Sequence, residues 1–231
     1  MTVVLALSTA DGLVIGSDSQ ITEKDRGMSY PAQKLHDLGG RAAWGGSGAR
    51  SVLIDVERRL DADASAILDA SLVSHALQER VIPVLRHHYE NFIETVPGED
   101  GVGSPAAYLL AAGYQGDSPR IIEINPHGMV SHYEDIGFHA IGSGAPMAQQ
   151  AGTLLSHFRM SERSLQHGVL ALVRVLDALT VNSPSVGGPL EVCRVTSDGA
   201  DHLDQDEIEE IRKDVRGWVE QEHRLLDDLY G

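Results

Sequence analysis

The chain opens on two apolar runs, residues 3–7 and 13–16, separated by a polar stretch around Asp11-Gly12. An Asp-Gly pair between two apolar segments predicts a β-hairpin. Residues 41–45 (RAAWG) predict another short strand, ending in the small-residue run GGSGA. From Ser47 to Leu60 the apolar positions Val52, Leu53, Val56 and Leu60 fall at helical spacing, with Glu and Arg on the opposite face. A second helix is predicted from Asp69 to Phe92, bent or restarted at Pro83, because proline lacks the N–H that a helix interior uses. Residues 95–105 read as loop. Four short strands follow (AYLLAAGY, RIIEIN, MVSHYE and FHAIG), punctuated by Gly116-Asp117 and Pro126-His127-Gly128. Helices are then predicted over 145–157 and 162–180, the second with Ser161 as its N-cap. A strand at 190–197 and an acidic helix from Asp204 to Leu229 close the chain. Runs of strands and runs of helices, rather than strict alternation, predict an α+β fold with helices packed outside antiparallel sheets. Residues 1–231 read as a single domain, with 200–231 an acidic C-terminal helical extension.

Composition narrows the function classes. The 231 residues are 42% hydrophobic and 23% charged, the balance of an ordinary water-soluble globular chain. Eighteen Lys and Arg against 34 Asp and Glu give a net charge of −16, which disfavours nucleic acid and anionic membrane as partners. No apolar run approaches the roughly 20 residues of a membrane span, and no signal-peptide pattern precedes the first strand. The expectation is a cytoplasmic protein. The single cysteine, Cys193, excludes an intrachain disulfide, and its apolar strand marks it as a small buried hydrophobe rather than a nucleophile. Eleven histidines form no recognisable metal-ligand spacing, so neither metal nor organic cofactor is expected. GGSGA and GSGA match no phosphate-binding or nucleophile-elbow motif, and by themselves read as turns.

Thr2 carries a more specific possibility. Methionine is normally removed before a residue as small as threonine. The product would hold a free α-amino group beside its own hydroxyl, which supplies nucleophile and base within one residue. An α-amine titrates at about 7.7–8.0 in model compounds, so a modest downward push makes it a usable base at neutral pH. A lysine ammonium nearby gives that push, and a carboxylate keeps the lysine charged.

Thr2, Asp18 and Lys34 stand at two successive intervals of sixteen residues. Both intervals, and the flanking text GLVIGSDSQIT, resemble the proteasome β-type family of N-terminal-nucleophile hydrolases. RAAWGGSGA is similar to the family's strand and glycine turn that offer a backbone N–H to an oxyanion, which places Gly45 or Gly46 in that role. FHAIGSGAPMA resembles the segment that carries the family's supporting serine, here Ser143. VGGPLEVCRVTSDG is similar to the strand after the last active-site loop. The likeness covers residues 2–199 and looks closest to bacterial relatives, the two-component peptidase rings and the ancestral-β-subunit group. One segment departs from the pattern. The family's final loop carries an Asp and then a Ser before Gly-Gly, whereas this chain reads VNSPSVGG. The Asp position falls on Asn182 or Ser183, and the Ser position on Ser185, or on Val186 without a gap. SVGGP also resembles the family's non-catalytic α-type subunits.

The resemblance implies a four-layer α-β-β-α sandwich and a threonine-type endopeptidase acting on peptides or unfolded protein. It also implies a homo-oligomeric ring or related coil, with an ATP-dependent unfoldase as a possible partner. The alternatives are a non-catalytic ring or scaffold subunit, and an N-terminal-nucleophile amidase acting on small molecules.

Overall fold

The structure, a computed structural model, describes residues 2–23, 27–94, 97, 103–183 and 186–231. The first hairpin pairs β1 (Val4–Ser8) with β2 (Leu13–Asp18). A small antiparallel ribbon of β3 (Gln20–Glu23) and β4 (Met28–Pro31) leads to β5 (Leu35–Leu38) and β6 (Ala42–Gly48). Two helices follow, α1 (Arg50–Leu68) and α2 (Val73–Glu90). Then come β7 (Ala107–Gln115), β8 (Ser118–Ile124), β9 (Val130–His132) and β10 (Phe138–Ile141). The chain ends with α3 (Ala145–Leu155), α4 (Leu165–Asn182), β11 (Leu190–Thr196), β12 (Gly199–His202) and α5 (Gln205–Tyr230).

The strands form two five-stranded antiparallel sheets, ordered β10-β1-β2-β11-β12 and β5-β6-β7-β8-β9. Side chains of successive strand residues point to opposite faces, and here both faces are apolar. Val4, Ala6, Leu13 and Ile15 point between the sheets and meet Leu35, Leu110 and Ile121 of the second sheet. Val3, Leu5, Leu7 and Val14 point outward onto α3 and α4. The outer face of the second sheet, including Trp44 and Ile122, is covered by α1 and α2. The result is the expected α+β sandwich of four layers, α-β-β-α. Double coverage explains why β1 reads as an unbroken apolar run rather than an alternating one.

Several boundaries differ from the sequence reading for identifiable reasons. β6 continues through the glycines to Gly48, paired to β7 throughout, and α1 therefore starts at Arg50 rather than Ser47. α2 is one element through Pro83, because Leu77, Val81 and Leu85 bury on both sides of it and hold the helix to the sheet. The N-cap position of α4 is Ser164; Ser161 lies in the 3-10 turn Met160–Glu162. Residues 200–202 belong to β12, so the terminal helix begins only at Gln205, where Asp204 and Glu207 form a reciprocal capping box. The Ile208 and Val215 side chains bury this helix against the rest of the outer layer. Met1, Ser185 and most of 95–102 lie outside the described residues.

Candidate active site

The register of the first hairpin creates the centre of the site. Val4 lies opposite Ser17, which puts Val3 opposite Asp18. Asp18 N–H donates to Val3 O at 3.3 Å, and Val3 N–H donates to the Asp18 carboxylate at 2.9 Å. Thr2 follows one residue beyond the sheet. Its nitrogen donates to Ser143 Oγ at 3.2 Å and its carbonyl accepts from Gly144 N at 3.1 Å. Gly142 is required here: its φ is +95°, and a Cβ would sit 2.2 Å from Thr2 O. The β10–α3 connection is thus folded tightly around Thr2.

Lys34 reaches the same point from the second sheet. The β3–β4 ribbon runs out and back, and Ala32 N–H donates to Ser19 O at 2.8 Å, returning the chain to its starting place. Lys34 Nζ then donates to Asp18 Oδ1 at 2.9 Å and to Gln20 O at 2.6 Å. The Asp18 side chain is fully buried and that of Lys34 is 6% exposed. Such a pair survives burial only when its remaining valences are met. Asp18 Oδ2 accepts from Gln20 N at 3.2 Å and from Gly187 N at 3.3 Å, so the carboxylate holds four donors in all. Burial pushes the Lys34 ammonium below its ordinary pKa, opposed first by the Asp18 charge and hydrogen bond and then by Glu191.

Thr2, Lys34 and Ser143 open onto a cleft of about 540 Å³, bounded by the Gly46–Gly48 end of β6 and by α1. A Cβ on Gly46 would approach Leu53 of α1 to 2.5 Å, so a glycine keeps this wall open. Deeper in, His36 stacks on Trp44 with ring centroids 4.5 Å apart and meets Glu57 at 3.1 Å. The two glycines expected to serve an oxyanion are differently engaged. Gly46 N–H donates to Lys34 O at 3.3 Å. Ala49 N–H donates to Ala106 O on the β7 side, and N–H direction alternates along a strand, so Gly45 faces β7 as well. The same alternation turns Gly48 N–H toward the β5 side, along the cleft wall. Its φ of +127° is the backbone signal that distinguishes this third glycine of GGSGA.

Among its described residues, the final loop does not bring a polar side chain into the lining of this cleft. Asn182 Nδ2 turns back to Ala178 O of its own helix at 2.8 Å. Ser183 is buried at the C-cap of α4, and its carbonyl accepts from Val186 N at 3.1 Å. Ser185 lies outside the described residues. The loop is anchored instead by the Gly187 backbone, whose carbonyl accepts from Ser19 and Gln20 N–H groups. Glu191, which the sequence did not single out, lies beside the pair and accepts from the Lys34 backbone.

Among the described residues, no three His, Cys, Asp or Glu side chains gather in a way that could hold a metal ion, and no helix is long and apolar enough to cross a membrane. Cys193 is fully buried between the sheets, and burial raises its thiol pKa to about 12. Native protein at pH 8 should therefore resist iodoacetamide, whereas protein in concentrated urea should be alkylated rapidly; comparing adduct mass in the two conditions checks this.

Known proteins resemble this chain in sequence and in fold. The chain is 27% identical to proteasome subunit beta 1 of Streptomyces avermitilis over 234 aligned positions, covering 98% of this chain and 79% of that protein. It is 25% identical to proteasome subunit beta type-10 of Mus musculus over 199 positions, 86% of this chain and 67% of that one. Among solved structures, Anbu (ancestral beta-subunit) from Yersinia bercovieri superposes with a TM-score of 0.74 at 19% identity, covering 99% of this chain and 98% of the other. The Anbu (Gly-1) mutant from Hyphomicrobium sp. strain MC1 gives 0.72 at 17% identity, with 98% and 97% covered. The family described as "Proteasome subunit" matches residues 2–195, nearly the whole sandwich, and the chain belongs to that family.

Proposed function

We propose that the protein is a threonine peptidase whose nucleophile is exposed by removal of Met1. The observation that carries this reading is the meeting of Thr2 N, Ser143 Oγ and the Asp18–Lys34 pair at one end of a single cleft. In the full chain the Thr2 nitrogen is an amide. Cleavage of Met1 makes it an amine that still faces Ser143 Oγ and can take the Thr2 hydroxyl proton, directly or through water. Thr2 Oγ attacks the peptide carbonyl. The resulting oxyanion takes a hydrogen bond from Gly48 N–H, which replaces Gly45 and Gly46 in that role. The protonated amine then hands its proton to the departing amine of the substrate, leaving an ester on Thr2 that water hydrolyses. Lys34 supplies positive potential that lowers the amine pKa and steadies the oxyanion, while Asp18 holds Lys34 in place and charged. Ser143 orients the amine.

Peptide or unfolded protein is the substrate on this reading. Further copies of the chain would assemble in a ring or coil around the clefts, and an ATP-dependent unfoldase could feed them. A second reading, a non-catalytic scaffold subunit, draws support from Asn182, which lends no charge to the site and binds its own helix.

Intact mass and a covalent probe decide between them. Untagged protein expressed in its native host should be lighter than the full sequence by one methionine. It should then form a ring adduct with an electrophile that must react with both the amine and the hydroxyl of an N-terminal threonine. Retained Met1 with no adduct overturns the catalytic reading in favour of the scaffold. Adduct formation with turnover of small amides but not peptides would assign the chain to small-molecule amidases.

A further inference from the structure

We propose that Glu191 is the positioning residue for Lys34, anchoring the start of β5 to the opposite sheet so that the ammonium reaches Asp18; the proposal rests on the hydrolytic reading above. Glu191 lies on β11 directly opposite Ser17 of β2, next to Asp18. One oxygen of its half-buried carboxylate, Oε2, accepts three hydrogen bonds: from Lys34 N at 2.8 Å, Leu35 N at 3.0 Å and Ser17 Oγ at 3.1 Å. Two consecutive backbone N–H groups converging on one oxygen form an anion-binding nest, here filled by a side chain from the other sheet.

The position of this nest gives it consequence. Continuing the Leu35–Gly45 register places Lys34 opposite Gly46, and the Gly46 N–H does donate to Lys34 O. The Lys34 N–H, instead of returning a bond to β6, turns to Glu191. Lys34 is thereby tied across the sandwich twice, by its backbone to Glu191 and by its side chain to Asp18. Without Glu191 the peptide that aims the ammonium at Asp18 would lose its acceptor, and the charge would no longer be held in place. The carboxylate also faces Lys34 as a charge and opposes the lowering caused by burial. The other charged or titratable groups around Lys34 are Asp18 on β2 and the Thr2 nitrogen, with Arg50 and Glu57 on α1 and His36 on β5 across the cleft.

Two variants of the full assembly, measured for peptide hydrolysis and for the titration of Lys34 Nζ by ¹⁵N NMR, test the proposal. Glu191→Ala should lower kcat by about tenfold or more with KM within about twofold, because a misplaced charge hurts the transition state more than substrate binding. Glu191→Gln keeps an acceptor oxygen for all three donors and should restore kcat to within about threefold of the parent. It loses the charge, however, so Lys34 should titrate at lower pH and the alkaline limb of the rate profile should move with it. The proposal is overturned if Glu191→Ala keeps the parental kcat and Lys34 titration. It is equally overturned if Glu191→Gln fails to assemble, titrates as the parent does, or is as slow as Glu191→Ala. Should the parent itself hydrolyse no peptide, the hydrolytic reading fails, and the Lys34 titration alone still decides whether Glu191 acts on it.

Discussion

Thr2→Ala should abolish peptide hydrolysis and leave the fold and assembly unchanged. The hydrogen bonds that seat residue 2 run through its backbone, nitrogen to Ser143 and carbonyl from Gly144, and alanine keeps both. What disappears is the proposed attacking hydroxyl, and with it a covalent route whose loss costs several orders of magnitude in comparable nucleophile deletions. Thr2→Ser should keep measurable activity. It retains hydroxyl and amine, permits methionine removal, and loses only the methyl that restrains χ1. A bulky residue inserted between Met1 and Thr2 should abolish the proposed hydrolysis by a different route. Methionine removal is then blocked, the nitrogen stays an amide, and the base is gone although Thr2, Asp18 and Lys34 all remain. Steady-state hydrolysis beside a sizing profile separates these cases. An inserted variant that cleaves as fast as the parent would remove the amine from the mechanism.

The sixteen-residue intervals that made this site legible have a structural cause. The first is the length of a hairpin: pairing Val4 with Ser17 leaves Asp18 beside Val3, one residue from Thr2. The second is the length of an excursion, in which the β3–β4 ribbon leaves at Gln20 and returns at Pro31, delivering Lys34 back to Asp18. The intervals could be read in the sequence; the ribbon could not. Met28 and Ser29 of its outer strand are exposed and the strand has no buried face, so no apolar alternation marks it. β5 was hidden for a related reason: it has four residues, and His36 and Asp37 interrupt its two buried leucines. The outer helices were legible wherever apolar spacing was long, as in α4, and their ends were misplaced where a cap or a glycine decided them. Glu191 was invisible because its partners are backbone groups of Lys34 and Leu35, more than 150 residues away. A sequence pattern reports side-chain chemistry, and a nest of backbone N–H groups has none. The same limit applies to the proposed oxyanion donor: strand alternation between Gly46, whose N–H donates to Lys34 O, and Gly48, not the glycine run itself, is what favours one N–H over the other.

Lys34→Ala should reduce hydrolysis by roughly three orders of magnitude, about 4 kcal/mol in the barrier. Two effects add. The amine loses the neighbouring positive charge that depresses its pKa, so less of it is free base at neutral pH, and the oxyanion loses a nearby positive field. The fold should weaken but persist. Truncating one member of a buried ion pair commonly costs about 3–5 kcal/mol, yet Asp18 keeps the Val3, Gln20 and Gly187 N–H groups as partners. Lys34→Arg should not rescue. The ammonium sits 2.9 Å from Asp18 and 2.6 Å from Gln20 O with almost no exposure, and a planar guanidinium fork needs more room and a different approach. The pH profile supplies the sharper check. Burial lowers the Lys34 pKa, so its charge is lost at a lower pH than an ordinary lysine's as the solution becomes alkaline. The parent's kcat/KM should therefore fall on an alkaline limb displaced below the usual lysine range. The residual activity of Lys34→Ala should lack that limb, and its acid limb should move upward as the Thr2 amine regains a higher pKa. Near-parental turnover in Lys34→Ala, or an alkaline limb unchanged by the substitution, would show that the buried pair holds the sandwich together without taking part in the chemistry.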